Sequence, residues 1–394
     1  MGKLVVRVLA CVLGITMCLV ALIAMTNIYD PPLNPQVAQI LSHKAEVNPE
    51  QRRPFYYLLG LYSSASVEDA EKVGEKLWQR FEKGEKQLLM ELDSKVAFPQ
   101  VSFQGCGENN VCGVAELEAD PLLAQQILDN EEALKRINHL FSYGQSSQLA
   151  IATDQYWLAP QLRIVPVDQN LARLFYLQLA QWFKEGHLEH AFTLIEQSNH
   201  YMRNALLSGT ELDRQLASIY MRNNAQLLKT EKERVPELIL PESVIQSFQV
   251  PEASEILKAG LETELRIFAS SFSQVSKVGD LAKLSIAEAP APGATKVWWH
   301  AVPATPGLKP NETLNMYYEI QNQAANTECE HITQENELEC IPARSWLKKT
   351  PWFYLRNPVG HGLAIIHSAH ANKKNGRLFS RLNEVRELKE TLVQ

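Results

Sequence analysis

The chain has 394 residues, 45% of them hydrophobic and 21% charged, with a formal net charge of −7. That apolar fraction is enough to build a packed core and excludes wholesale disorder. The acidic balance argues against nucleic acid as a partner and against adhesion to an anionic membrane surface.

The first predicted element is the run over residues 8–25, VLACVLGITMCLVALIAM, in which Thr16 is the only strongly polar side chain. A helix of about 20 apolar residues crosses a hydrocarbon core of roughly 30 Å. Lys3 and Arg7 precede the run, and Asp30, Pro31 and Pro32 follow it. The layout predicts an uncleaved, single-pass signal anchor within residues 1–29, touching the lipid bilayer through residues 8–28. The N-terminus is then cytoplasmic and the body lies in the periplasm, beyond a bacterial inner membrane. A cleaved secretory signal shares the basic start and apolar middle. Its cleavage sites are poor here, since Ala24-Met25-Thr26 ends on Thr and Leu22-Ile23-Ala24 puts Leu where a small residue is required. Setting aside Lys3 and Arg7, the two cations of this segment, takes the rest of the chain from −7 to −9.

Residues 30–50 read as a membrane-proximal leader, extended by Pro31, Pro32 and Pro35, with a short helix over 36–44. A helical body over 51–288 follows. Residues 54–61 form its first buried turn, and Ser66-Val67-Glu68-Asp69 has the form of a helix start. Behind it Val73, Leu77 and Phe81 recur at four-residue steps and predict the apolar face. Asp120-Pro121 opens another helix, and 131–141 continues in the same style. The interval 148–167 alone looks strand-like and is expected to be irregular or a small hairpin. Helices are then predicted over 169–185, ended by Gly186, over 187–207 and over 211–228. Their short connections make them antiparallel neighbours. The tetrapeptide Tyr201-Met202-Arg203-Asn204 returns as Tyr220-Met221-Arg222-Asn223, which shared helix composition accounts for.

Pro236, Pro241 and Pro251 punctuate the chain before a helix over 252–272. Residues 289–310 form a Pro-rich connection. The C-terminal helical segment, 311–394, is expected to pack on the body. It carries a helix over 312–323, Asn357-Pro358 as an N-cap followed by Pro at N1, and a closing helix over 376–392 with Leu378, Leu382, Val385 and Leu388 inward. The fold class expected is mainly α: one transmembrane helix, then an irregular bundle of short antiparallel helices with little or no sheet.

Six cysteines are present. Cys11 and Cys18 belong to the anchor. Cys106 with Cys112, and Cys329 with Cys340, form two local couples expected to be disulfides outside the cytoplasm. Zinc at these couples, with His331 beside Cys329, fits less well because zinc ligands favour closer spacing.

Two sets of side chains are candidate sites. His187 and His190 share a helix face, and His367 with His370 repeats the spacing, so four imidazoles would suit a transition metal if the two helices met. Trp298, Trp299, Trp346 and Trp352 lie in Pro-rich surroundings and would suit a peptide or glycan groove. Their alternative role is to pack the C-terminal segment onto the body. Ser345 and Lys348 have Ser-x-x-Lys spacing, but no Ser-Asp-Asn accompanies them and Pro351 stands where Gly is needed, so no acyl-transfer site is assigned. The sequence has no Gly-x-Ser-x-Gly elbow, phosphate-cradling loop or dinucleotide fingerprint. No catalytic residue, cofactor or nucleic-acid partner is expected. The function expected is that of a membrane-anchored cell-envelope protein whose extracytoplasmic helical body serves as a binding or assembly factor for another envelope protein. The alternatives are a membrane-tethered hydrolase, metal-dependent through the histidine pairs, and a periplasmic immunity or inhibitor protein.

Overall fold

The computed structural model describes residues 12–18, 21, 30–42, 49–61, 66–83, 111, 113–144, 165–166, 169–274, 309–326 and 357–393. The protein is mainly α, and the described residues contain no strand. In chain order the helices are α1 (Pro35–Ser42), α2 (Pro49–Leu61), α3 (Val67–Glu82), α4 (Val114–Ala119), α5 (Pro121–Asp129) and α6 (Glu131–Ser142). After them come α7 (Gln169–Glu185), α8 (Leu188–Ser208), α9 (Glu211–Arg234), α10 (Glu242–Ser247), α11 (Ala253–Gln274), α12 (Pro310–Asn326) and α13 (Pro358–Val393).

Of the expected membrane span only residues 12–18 and 21 are described. They are helical, and Val12, Leu13, Ile15 and Met17 are exposed. Among the described residues no helix is long and apolar enough to cross a membrane. The helical fold therefore stands on the structure and the transmembrane span on the sequence. Cys18 is exposed and free. Cys106, Cys112, Cys329 and Cys340 lie outside the described residues.

α2 and α3 form a tight antiparallel hairpin. Ser66 opens α3 as expected, its carbonyl accepting from the Asp69 N–H at 3.2 Å and its hydroxyl donating to the Asp69 carboxylate at 3.1 Å. The buried face is not the expected one. Ala70, Gly74 and Trp78 are buried, while Val73 and Leu77 are only partly so. The cause is close backbone approach. A Cβ on Gly74 would overlap the carbonyl oxygen of Tyr56, and one on Gly60 would overlap that of Ala70. The smallest side chains thus lie where the helices touch, and larger ones flank the seam. Arg53 closes the pair from outside, its Nε donating to Glu71 at 3.0 Å.

The main core surrounds α7, α8 and α9. Gly186 ends α7 in the left-handed region, at φ 78°. The His187 N–H reaches back to the Trp182 carbonyl at 2.8 Å and the Gly186 N–H to Phe183 at 3.4 Å. This is the paired closure that a C-terminal glycine permits. Thr210 and Asp213 form a reciprocal cap at the start of α9. Phe141, Phe175, Tyr176, Tyr201 and Tyr220 pack as an aromatic cluster, with Phe141 and Phe175 centroids 5.3 Å apart. Both copies of the Tyr-Met repeat face this core, since Tyr201, Met202, Tyr220 and Met221 are all buried. A polar knot lies among them. The Asn224 amide donates to Ser198 at 2.9 Å and to Asn199 Oδ1 at 2.8 Å, and the Asn199 amide donates to Ser247 at 2.9 Å.

α13 lies parallel to α9. Lys374 pairs with Glu211 at 2.9 Å near the start of α9, and Lys232 donates to the Leu392 carbonyl at 2.9 Å near its end. Leu378, Leu382 and Val385 are buried there, as expected, and Leu388 packs at the edge. The helix is longer than the sequence suggests, running unbroken for 36 residues from Pro358. Its first half buries His361, Ala364 and Ser368 at helical spacing. Small and polar buried residues leave no hydropathy signal.

A second core joins α11, α12 and the first half of α13 through Leu261, Leu265, Phe268, Leu314, Tyr317 and Ala364. The leader docks here. Val37 is fully buried in this core. The Asp30 carboxylate accepts from the backbone N–H groups of Asn311 at 3.0 Å and Glu312 at 3.1 Å, capping α12 from a distant part of the chain. The Asn34 N–H donates to Asn315 at 2.8 Å, the Asn315 amide donates to the Pro32 carbonyl at 3.0 Å, and the Tyr318 hydroxyl donates to Gln36 at 2.8 Å.

Candidate functional site

A cleft of about 760 Å³ opens between the start of α3, the outer face of α6, the end of α7 and the first half of α8. Helix periodicity builds it. On α6, Glu132, Lys135, His139 and Ser142 recur at three- and four-residue steps and line it, while Leu134, Ile137 and Phe141 point into the core. On α8, His190, Thr193 and Gln197 do the same opposite Ile195 and Ser198. Trp182 of α7 and Glu68 of α3 complete the walls.

His139 is exposed at the cleft but leans on two tyrosine rings. Its ring lies 4.8 Å from Tyr57 and 5.4 Å from Tyr143, centroid to centroid. Partial burial pushes its imidazole pKa down; the Glu71 charge opposes that shift and the Arg53 charge adds to it. The Tyr143 hydroxyl donates to Glu71 at 2.8 Å, and burial followed by that bond pushes its pKa well above the ordinary phenol range. Tyr57 is fully buried, and burial raises its phenol in the same direction. Asn138 Oδ1, on a residue that lines the cleft, and Tyr57 Oη, behind His139, are buried and have no hydrogen-bond partner among the described residues. The Asn138 amide nitrogen is engaged, donating to Gln178 at 2.8 Å.

Charge at the cleft is mostly negative. Glu68, Glu132 and Glu189 line it against Lys135. Lys135 is tied to Glu131 at 2.8 Å and Glu132 to Arg136 at 3.3 Å. The far wall is aromatic: His190 lies 5.8 Å from Trp182 and 6.1 Å from His187.

Of the four histidines singled out in the sequence, His187 and His190 are adjacent and His190 faces the cleft. His367 packs 4.7 Å from Phe268, beside the second core. His370 is on the same helix, and its side chain lies outside the described residues. Among the described residues no group of three or more His, Cys, Asp or Glu is placed to hold a metal ion. Trp298, Trp299, Trp346 and Trp352 lie outside the described residues. His139 and Trp182 were not among the sequence candidates for a site. Their signal is weak: each sits at the rim of an amphipathic helix, where a ring reads as ordinary packing. Comparison with known proteins finds no family model, no curated relative and no solved structure that matches the chain.

Proposed function

We propose that the chain is a membrane-anchored cell-envelope protein whose extracytoplasmic helical body is a binding or assembly factor, and that the cleft between α3, α6, α7 and α8 receives its partner. The observation that carries this reading is the cleft itself. It combines ring faces at Trp182, His139 and His190 with a buried, unpaired acceptor at Asn138. A concave site with aromatic walls and a few placed polar groups is the usual form of a recognition pocket. Its acidic lining suits a partner segment that brings amine or guanidinium donors. The anchor part of the proposal rests on the apolar run after Lys3 and Arg7, and on the exposed Val12, Leu13, Ile15 and Met17.

The test is site-specific photo-crosslinking in intact cells with the full chain. A photoreactive residue at Thr193 or Gln197 is expected to give a discrete adduct with another envelope protein. One at Lys258, exposed on α11, is expected to give none, and Trp182→Ala is expected to abolish the cleft adduct. Equal adducts from Lys258 and the cleft positions would sink the proposal. Alkaline carbonate extraction checks the anchor separately: release of the full chain into the soluble fraction would remove it.

A further inference from the structure

We infer that residues 30–42 are a clamp rather than a linker, and that they turn the α12 end of the body toward the lipid headgroups and the cleft away from them. The inference rests on the proposed anchor and goes beyond it, because a tether alone leaves the body free to swing.

Chain reach sets the first constraint. Four residues separate the end of the apolar run at Met25 from Asp30, and the five extended steps between them span at most about 18 Å. Asp30 is not free to move within that reach. Both its carboxylate oxygens accept from the first turn of α12, at 3.0 and 3.1 Å. Asn34, Pro32 and Gln36 add bonds to Asn315 and Tyr318, and Val37 is fully buried beyond them. The point where the chain leaves the membrane is therefore bolted to the start of α12.

The second constraint is the direction of α8. The second core joins the main one at the turn between α8 and α9. There Arg214 meets Glu264 of α11 at 3.6 Å, and Lys374 of α13 meets Glu211 at 2.9 Å. The cleft uses the opposite end of α8, at Glu189, His190 and Thr193. At 1.5 Å per residue the two ends of this helix are about 30 Å apart. A clamped body thus presents the cleft outward, clear of the bilayer, where an envelope partner can reach it.

The experiment uses the full chain in lipid nanodiscs carrying headgroup-linked energy acceptors. A fluorescent amino acid is placed at Pro310, exposed beside the clamp, or at Lys135, exposed at the cleft. Transfer is expected to be at least twofold more efficient from position 310. The double variant Asp30→Ala, Asn315→Ala is expected to bring the two efficiencies together. Equal transfer from both positions in the unsubstituted chain overturns the inference, as does a difference that the double variant leaves intact. A chain that fails to enter the discs refutes the anchor, and with it the orientation. The clamp is then decided by hydrogen exchange: Asp30→Asn is expected to speed the Asn311 and Glu312 amides at least tenfold, and unchanged rates refute it.

Discussion

The buried carboxylate of Glu231 accepts a hydrogen bond from the backbone N–H of Val114 at 3.2 Å, across 117 positions of chain. Its other oxygen takes the Arg234 Nε at 2.7 Å. Asp213 makes the matching contact at the other end of α9, accepting from the Val165 N–H at 3.2 Å. The two acids stand about five turns apart and so share one side of the helix. α9 thereby satisfies the first backbone donor of α4 and one in the segment before α7, which would otherwise be buried unpaired.

Glu231→Ala is expected to destabilise the fold by about 1–3 kcal/mol, the cost of leaving a buried donor without its acceptor. Glu231→Gln keeps an oxygen for Val114 and is expected to lose less. Urea unfolding of both variants measures the difference. Equal losses would mean that the charge, and not the acceptor, matters at this site.

Gly74→Ala should open the α2–α3 hairpin. The added methyl overlaps the Tyr56 carbonyl, which belongs to a helix backbone and cannot rotate away as a side chain would. A cost of about 3 kcal/mol or more is expected, at the upper end of overpacking effects. Lys76→Ala, exposed on the same helix, is expected to stay within about 0.5 kcal/mol. Thermal unfolding followed by circular dichroism decides it, and similar midpoints for the two variants would contradict the close-approach account.

These two sites also show what was legible in the sequence. Apolar periodicity located α7 and the second half of α13, whose buried faces are made chiefly of Leu, Phe, Tyr and Val. α8 and α9 were located as well, although they also bury Ser198, Asn199, Asp213 and Glu231, whose burial the pattern does not show. It misplaced the buried face of α3, where Ala70 and Gly74 form the seam, and hid the first half of α13, where His361 and Ser368 are buried. Turn chemistry was readable at Ser66 and Gly186, since each acts on its own neighbours. Asn357, expected as the N-cap of α13, instead turns its side chain to Lys309 and Thr313 of the α12 start. The tertiary cap of α12 by Asp30 was not readable, because donor and acceptor are 281 positions apart. The cleft was hidden for the same reason. It draws on four helices, and only one of its residues, His190, stood out by spacing.

The knot of Asn199, Asn224, Ser198 and Ser247 predicts non-additivity. Asn224 spends both amide hydrogens, on Ser198 and on Asn199. Asn224→Ala is expected to cost about 1–3 kcal/mol by stranding the Asn199 carbonyl oxygen. Once Asn199→Ala is in place that oxygen is gone, so the second substitution should cost less. The double-mutant cycle is expected to show a coupling of about 0.5–3 kcal/mol. Strict additivity would mean that the two amides act independently.

His139 predicts a pH dependence whose sign follows from its surroundings. Partial burial against Tyr57 and Tyr143 lowers its folded-state pKa below the value of about 6.5 expected in the unfolded chain. Glu71 and Glu68 favour the imidazolium and Arg53 disfavours it, but burial is the largest influence. The unfolded chain therefore binds more protons than the folded one as pH falls below about 6.5. This group's contribution is present above that pH, and it is lost on acidification until the folded-state pKa is passed. In His139→Gln the corresponding part of the decline should disappear, leaving a flatter stability profile between about pH 5 and 7. Urea midpoints across that range measure it. A profile unchanged by the substitution would mean that the ring titrates alike in both states, and a steeper one would reverse the assigned sign.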